Sequence, residues 1–198
     1  AQLNKDRFDE WSQPFNQENS KQAILAFDGG VYSGLNAHEF SENDLDFAQN
    51  HLRILSGLYG ILKPLDLIQP YRLEMGINLK NEKGKNLYDF WSSDITNCLN
   101  DTLKKHKNPT ILNCASNEYF NVIDKNGLKG NVLNTVFKEK RNGELKFISF
   151  NAKKARGLLA KFVINNGIDS SDGIKDFNLE DYKFDSQMSD EKNYVFTR

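Results

Sequence analysis

The chain has 198 residues, of which 38% are hydrophobic and 27% charged, and its formal net charge is −1. A chain of this length buries a substantial core without disulfides or metal ions, and its composition is that of an ordinary globular protein. The near-neutral charge excludes a surface that is basic all round, so a site for a polyanion requires a local cluster of lysines and arginines.

The two cysteines, Cys98 and Cys114, have no spacing that suits a metal site, and the three histidines are isolated in the sequence. We therefore expect no metal and no cofactor. Both cysteines are interpreted as buried free thiols, which favours a reducing cytoplasm. No apolar run approaches the roughly 20 residues of a membrane-spanning helix, so we expect no membrane partner.

Apolar spacing in the first part of the chain predicts short elements. Phe8, Trp11 and Phe15 recur at helical spacing and predict the end of a first helix. Residues 23–27 are a short apolar run that predicts a strand, and residues 31–37 are long enough for a single helical turn.

Two longer helices follow. Residues 41–54 carry an apolar stripe, and Ser41 with Asp44 resembles the capping box that begins many helices. Residues 87–103 predict a second amphipathic helix, and residues 110–114 then predict a short apolar strand.

The last part of the chain predicts a hairpin and an acidic tail. Strands over residues 133–137 and 145–150 flank Asn142-Gly143, which is a strong signal for a tight turn. Acidic residues dominate from residue 169 onward, so residues 169–198 are predicted to be loosely structured apart from short elements.

Helices that alternate with strands predict an α/β (mixed α+β) fold. We expect a single domain over residues 1–198, with a mixed, partly antiparallel sheet that is flanked by helices. The predicted Asn-Gly hairpin supplies the antiparallel part.

Glycine and proline are unusually dense in residues 52–76, which favours tight turns over a long helix. Arg72 and Glu74 are two residues apart in an extended piece and therefore project to the same side. The segment is either a structural loop with an internal ion pair or part of a ligand site. Residues 52–56 and 61–65 also resemble, loosely, the two short helices of a helix-hairpin-helix, a motif that presents backbone N–H groups to DNA phosphates.

A basic face is predicted on a helix over residues 151–164, with Asn151 as its N-terminal cap. Cations near the positive end of a helix dipole are unfavourable without a partner, so this face predicts an anion site; the alternative is a basic face that contacts only solvent. Gly157 in the middle of this face allows close approach of a phosphate backbone or of another helix. The cations of the face are Lys153, Lys154, Arg156 and Lys161.

A second polar cluster follows the strand predicted over residues 110–114, and the carboxyl end of a strand is a common ligand-binding position in α/β sheets. Glu74 and Glu118 are the candidate general bases; the alternative is that they cap backbone groups or pair with Arg72. The members of the second cluster are Asn113, Ser116, Asn117, Glu118 and Tyr119.

Four motifs, in this order, resemble those of the bacterial YaaA peroxide-stress family: residues 23–37, 52–76, 113–120 and 148–164. The resemblance runs from about Phe8 to the C-terminus. It implies the fold of that family, a cytoplasmic role in resistance to hydrogen peroxide, and DNA binding. The family begins with a strand, a Ser-Pro-Ala-Lys segment and a helix, so we expect a YaaA-like domain that lacks this N-terminal part.

We hypothesise that the chain binds duplex or structured DNA, largely without sequence specificity, through the basic helix and the turn from Gly57 to Gly60, which we call the glycine corner. Tyr59 or Tyr71 would stack on an exposed base. Two alternatives remain open. One is an enzyme that acts on a nucleotide, a nucleobase or damaged DNA, with Glu74 or Glu118 as acid or base; the other is a module whose basic helix docks an acidic protein. The predicted contacts of DNA or another anion are Gly57, Tyr59, Gly60, Lys63, Tyr71, Arg72, Asn113, Ser116, Tyr119, Lys153, Lys154, Arg156 and Lys161.

Overall fold

The computed structural model describes residues 2–198. They form two compact units, each built from separate segments of the chain. Unit 1 contains the described residues up to Phe27 together with Ala48–Leu99 and Ala115–Leu128. Unit 2 contains Asp28–Phe47, Asn100–Cys114 and Lys129–Arg198. The single domain over the whole chain stays a prediction.

The described residues form helices and strands in a mixed order. The α-helices are α1 (Gln2–Glu10), α2 (Ala23–Ala26), α3 (Gly30–Leu35), α4 (Glu42–His51), α5 (Leu87–Leu103), α6 (Asn117–Phe120) and α7 (Ser149–Asn165). The strands are β1 (Lys21–Gln22), β2 (Ile54–Ser56), β3 (Gly60–Leu62), β4 (Leu67–Ile68), β5 (Thr110–Asn113), β6 (Asn131–Arg141), β7 (Glu144–Lys146), β8 (Lys183–Phe184) and β9 (Asn193–Thr197). None of the helices within residues 2–198 has the length and apolar character that a membrane crossing requires.

The strands of unit 1 form two small antiparallel pairs, β1 with β4 and β2 with β3. Unit 2 contains a five-stranded sheet in the order β5-β6-β9-β8, with β7 added on β6. Strands β5, β6 and β9 run parallel, whereas β7 and β8 are antiparallel to their neighbours. The predicted mixed α/β fold with a partly antiparallel sheet is therefore confirmed.

Several local predictions are confirmed because short-range interactions determine them. The Ser41 N–H donates to the Asp44 carboxylate over 2.9 Å, and the Asp44 N–H donates to the Ser41 hydroxyl over 3.2 Å, which is the predicted capping box. Helix α5 has the predicted limits. Asn142 and Gly143 both have positive φ, as the tight turn between β6 and β7 requires.

Other local predictions are wrong. Residues 23–27 do not form a strand: Ala23–Ala26 is one turn of helix, and Ala23 and Ile24 are buried. The short apolar run marks burial, which a helical turn satisfies as well as a strand does. Cys98 is exposed rather than buried, because it lies beside the buried stripe of α5 rather than on it.

The acidic tail is more ordered than predicted. Its aromatic residues Phe177, Tyr182 and Phe196 are buried, and β9 lies between β6 and β8 in the sheet of unit 2. Phe196 stacks on Phe137 of β6 with ring centroids 5.4 Å apart. The sequence pattern does not predict this order, because the aromatic residues are irregularly spaced among acidic residues. They acquire their packing partners only in the sheet.

Helix α7 covers one face of this sheet through Ala152, Ala155 and Leu159. Its other neighbour is α3, and glycine makes the contact between the two helices close. A Cβ atom on Gly157 would lie 1.9 Å from the carbonyl oxygen of Val31. Of the two predicted partners for Gly157, a phosphate backbone or another helix, the structure shows another helix.

Candidate functional site

The glycine corner of unit 1 is a β-hairpin, so the predicted helix-hairpin-helix is wrong. Ile54–Ser56 and Gly60–Leu62 pair antiparallel where two short helices were expected. Both strands alternate buried and half-buried positions, and Gly60 takes a φ of 73° at the turn. This corner therefore lacks the helix N-termini whose free backbone N–H groups a helix-hairpin-helix presents.

The two glycines of this hairpin serve close packing inside unit 1. A Cβ atom on Gly57 would lie 2.2 Å from the carbonyl oxygen of Leu73, and one on Gly60 would lie 2.8 Å from the ring of Trp91. The indole N–H of Trp91 also donates to the Gly57 carbonyl over 2.9 Å. Both helix α5 and the extended piece that follows β4 therefore pack closely against the glycine corner.

Tyr59 and Tyr71 are held inside unit 1 by their hydroxyl groups and rings. The Tyr71 hydroxyl lies 2.6 Å from the Ser56 hydroxyl, and the Tyr59 hydroxyl accepts a hydrogen bond from the Gln69 N–H. The two rings meet edge to face with centroids 5.3 Å apart. Burial raises the pKa of Tyr71 to about 12, so its phenol stays neutral over the physiological range. These contacts leave neither ring as an open stacking platform.

The predicted ion pair in the extended piece is confirmed. The Arg72 Nε donates to the Glu74 carboxylate, and both side chains remain partly exposed. The Glu118 carboxylate caps a backbone group, because it accepts the Gly76 N–H over 3.1 Å. The observed contacts of Glu74 and Glu118 are thus pairing and capping, which were the alternatives to acid–base catalysis.

Tyr119 interacts both with its neighbour Glu118 and with the extended piece that carries Arg72 and Glu74. Its pKa is raised, first by burial and then by the negative charges of Glu118 and Glu74, while a backbone hydrogen bond from Met75 and the charge of Arg72 lower it. A phenol, two carboxylates and a guanidinium are therefore close enough to one another for the three charges to affect the pKa of Tyr119.

Lys63 and Ser116 are two further residues of unit 1 that were predicted to contact DNA or another anion. Lys63 is exposed, and its backbone N–H donates to the Asp66 carboxylate. Ser116 stands at the N-terminal cap position of α6 with extended backbone, as predicted, but its side chain makes no capping hydrogen bond.

Helix α7 of unit 2 begins two residues earlier than predicted, at Ser149, and its cap position is Ile148. Asn151 is the third residue of the helix rather than its cap, and its side-chain amide donates to Glu139 over 2.7 Å. The shift places Lys153 and Lys154 in the second turn. They are therefore further from the positive end of the helix dipole than the sequence pattern indicated.

The four cations of α7 do not form an open basic face. Lys154 pairs with Glu180, and Lys161 pairs with Glu39. Both carboxylates have a lowered pKa, chiefly because of the hydrogen bond from the lysine.

Arg156 is half-buried and donates to the carbonyl of Ala152 over 3.2 Å. Burial lowers its pKa, while the neighbouring Cys114 raises it; burial in turn raises the pKa of Cys114 to about 12. Cys114 is partly rather than fully buried, and its raised pKa keeps the thiol protonated at neutral pH.

Lys153 is the cation of α7 that stays exposed without an ion pair or hydrogen bond to any of residues 2–198. Its aliphatic stem lies near Gly30, since a Cβ atom there would be 3.3 Å from the Lys153 Cβ. The ammonium group is free to take an anion from solution.

Asn113 takes part in a ladder of amides across the parallel strands. Its amide donates to Asn134 over 3.0 Å, the Asn134 amide reaches Asn193 at 3.4 Å, and Asn193 donates to Asp190 at 3.0 Å. This ladder secures the end of β5, so its observed role is in the sheet of unit 2.

The sequence analysis missed the carboxylate at the centre of the unit 2 polar network. Glu139 is 4% exposed and accepts hydrogen bonds from Asn151, Tyr182, Arg141 and Arg198. Its sequence signal was its place on β6, two residues after buried Phe137 and on the same face.

A set of exposed residues beside this network was missed as well. Arg141 is the last residue of β6 and Lys146 is the last residue of β7. Phe147 lies just before α7, and Phe150 is in its first turn. The two phenylalanines are 61% and 75% exposed, which is unusual for aromatic residues. We call Arg141, Lys146, Phe147, Phe150 and Lys153 the hairpin–helix surface. No group of three or more His, Cys, Asp or Glu side chains within residues 2–198 is placed to hold a metal ion.

Unit 2 is a mixed α/β fold in which Lys154 and Lys161 of α7 are paired with carboxylates and the hairpin–helix surface is exposed. The chain belongs to the YaaA family: the family model described as "Peroxide stress protein YaaA" matches residues 1–188. The predicted family is therefore confirmed, and the family description supports a role in peroxide stress.

Curated relatives agree with this assignment. A UPF0246 protein of Cellvibrio japonicus is 50% identical over 99% of this chain and 76% of its own length. A UPF0246 protein of Colwellia psychrerythraea is 51% identical over the whole chain and 77% of its own length. A UPF0246 protein of Pseudoalteromonas translucida is 53% identical over 94% of the chain and 72% of its own length.

Proposed function

We propose that the chain protects cells against peroxide stress by binding DNA in the cytoplasm, largely without sequence specificity, through the cations of the hairpin–helix surface. The observation that carries this proposal is the exposed ammonium of Lys153, which lacks a partner among residues 2–198. Its helix is bonded through Asn151 and Glu139 to the β6–β7 hairpin that carries Arg141 and Lys146. The two free cysteines agree with a reducing compartment.

The neighbouring cations support phosphate binding because their own partners hold them weakly. Lys146 pairs with Glu144 over 3.3 Å, and both side chains are at least half exposed. Such exposed pairs contribute about 0–1 kcal/mol and are easily exchanged for a phosphate. Arg141 donates one nitrogen to Glu139 and keeps the rest of its guanidinium in solvent. Helix α7 adds the partial positive charge of its N-terminus, which Asn151 links to the hairpin through Glu139.

We expect Lys146→Ala/Lys153→Ala to weaken binding of a labelled DNA duplex about 10-fold at low salt, equally for different sequences. The slope of log affinity against log salt concentration should fall by roughly two, since two phosphate contacts are lost. Fluorescence anisotropy over a salt series measures both quantities.

The matched control is Lys129→Ala/Lys192→Ala, which removes two exposed lysines near the opposite end of β6. It should leave the affinity and the salt slope nearly unchanged. Equal losses in both variants would show that any surface lysine contributes, and an unchanged Lys146→Ala/Lys153→Ala variant would remove this surface from the proposal.

A second candidate function is an enzyme in unit 1 that acts on a nucleotide or nucleobase. The observation that favours it is the convergence of Tyr119 with Arg72, Glu74 and Glu118. Arg72 supplies a phosphate ligand when its exposed pair with Glu74 opens, and a released carboxylate transfers a proton.

For this second candidate we expect Glu74→Gln or Glu118→Gln to lower turnover of a nucleotide by about 100-fold or more, because a general acid or base contributes at least that factor. Nucleotide affinity should persist, since Arg72 is retained. Chromatographic analysis of a panel of nucleoside phosphates measures conversion. Turnover that is equal in wild type and in both variants would exclude the two carboxylates as catalysts.

A further inference from the structure

The hairpin–helix surface combines cations with aromatic rings that nothing within residues 2–198 covers. Phe150 is 75% exposed on the first turn of α7, and Phe147 is 61% exposed just before that helix. Exposing two phenylalanines costs hydrophobic free energy that burial elsewhere would recover. We therefore expect these two rings, which are three residues apart, to contact a partner that has flat apolar faces.

The two rings are close enough along the chain to contact bases of one nucleic-acid strand. Residues three apart in the chain have Cα atoms no more than about 11 Å apart, which is the length of about three steps of a stacked strand. Phe150 and Lys153 are also neighbours on the helix surface, because they are three residues apart on α7. A base on the ring therefore has its phosphate within reach of an ammonium group.

The hairpin places two further cations near the start of α7. Lys146 lies directly opposite Glu139 in the β6–β7 pair, and Glu139 is the residue that binds Asn151 at the start of α7. Arg141 lies on the same face of β6 as Glu139 and is bonded to it. The charge of Glu139 is taken up by Arg198 and Arg141, so it does not repel a phosphate strongly.

We propose that the hairpin–helix surface binds single-stranded nucleic acid, with bases stacked on Phe147 and Phe150 and phosphates held by Arg141, Lys146 and Lys153. This inference rests on the proposed DNA binding and names the form of DNA that the surface prefers. A duplex offers only phosphates to this surface, since its bases are already stacked on one another. Aromatic side chains beside cations are the general means by which proteins hold unpaired strands.

The test compares a labelled single-stranded 15-mer of DNA with the same sequence as a duplex. We expect Phe147→Leu/Phe150→Leu to lower single-strand affinity at least about 10-fold, because each stacked base contributes a factor of this order. Duplex affinity should stay within about twofold, since no cation is removed. Phe147→Tyr/Phe150→Tyr should restore single-strand binding, because tyrosine keeps the aromatic face.

Matched measurements separate stacking from folding and from general hydrophobic contact. Met188→Ala removes another exposed apolar side chain of unit 2 and should change neither affinity. Thermal unfolding of the leucine variant should match wild type, because both rings are exposed. A fluorescent base analogue in the strand should lose its quenching in the leucine variant and keep it in the tyrosine variant.

The outcomes distinguish this inference from the proposed function. Equal single-strand affinity of the wild type and the leucine variant overturns the stacking site, while salt-dependent duplex binding leaves DNA binding in place. No binding of either DNA form at low salt overturns both. Concentration-dependent self-association that disappears in the leucine variant, with DNA affinity unchanged, would overturn the stacking site and make the two rings a contact between copies of the chain.

Discussion

Replacing Gly157 with alanine is expected to destabilise unit 2 by about 3 kcal/mol. The added Cβ atom would lie 1.9 Å from the Val31 carbonyl oxygen and 2.7 Å from the Leu35 nitrogen, so α3 and α7 have to move apart. In a helix without this contact, the same change would stabilise by up to roughly 1 kcal/mol, because alanine is the better helix former. A loss of stability in Gly157→Ala would therefore indicate that α3 and α7 pack closely at this position, whereas a gain would indicate that they do not.

Urea unfolding of the chain, followed by circular dichroism, measures this change. The reciprocal variant Gly34→Ala should behave similarly, because its Cβ would lie 2.1 Å from the Lys154 carbonyl oxygen. Gly30→Ala is the control, since its Cβ would meet only the flexible Lys153 side chain at 3.3 Å. A Gly157→Ala variant as stable as the control would show that the helices are not in the contact described.

The second large effect is expected from Glu139→Ala, which should lower the free energy of unfolding by about 3 kcal/mol. The carboxylate is 4% exposed and is the shared acceptor for Arg198 at 2.9 Å and Tyr182 at 3.0 Å. Removing it leaves the buried Tyr182 phenol without its acceptor and leaves Arg198 with Glu180 alone as its carboxylate partner. Because Asn151 also binds this carboxylate, the start of α7 should loosen as well.

The same network makes stability depend on pH. Burial by itself would raise the pKa of Glu139, but the hydrogen bonds from Asn151, Tyr182 and Arg198 together lower it below its ordinary value of 4.5. A lowered pKa in the folded state stabilises the fold above the ordinary value, and this contribution disappears as the pH falls through the folded-state pKa. The wild type should therefore lose stability below about pH 4.5 more steeply than Glu139→Gln does.

The matched control for this position is Glu144→Gln, because Glu144 lies in the same hairpin and its side chain is 75% exposed. It should change the free energy of unfolding by less than about 0.5 kcal/mol. Urea unfolding at pH 7 and at pH 4 measures both variants. If Glu139→Ala and Glu144→Gln destabilise equally, the buried network does not contribute as described.

Features that depend on neighbours in the sequence were predictable. The capping box at Ser41, the limits of α5 and the turn at Asn142 all involve groups within a few residues of one another, so residue type and spacing determine them. The pair between Arg72 and Glu74 belongs to the same class, because two residues on one side of an extended chain meet. Long motifs in the right order likewise sufficed for the family.

The tertiary structure decided which apolar runs became strands and which became helices. The glycine corner has equally short apolar segments on both sides, and pairing between Ile54–Ser56 and Gly60–Leu62 makes it a hairpin. The acidic tail likewise acquires its order from contacts of Phe177 and Phe196 with residues far away in the sequence. Such contacts leave no periodic signal.

The candidate site shows the same division. The sequence by itself determined which cations lie on α7, but not what they contact. Glu180 and Glu39, which pair with Lys154 and Lys161, are 26 and 122 residues away along the chain. Only the fold brings these carboxylates to the helix, and only the fold leaves Lys153 and two phenylalanines exposed, because burial and ion pairing depend on which distant segments come together.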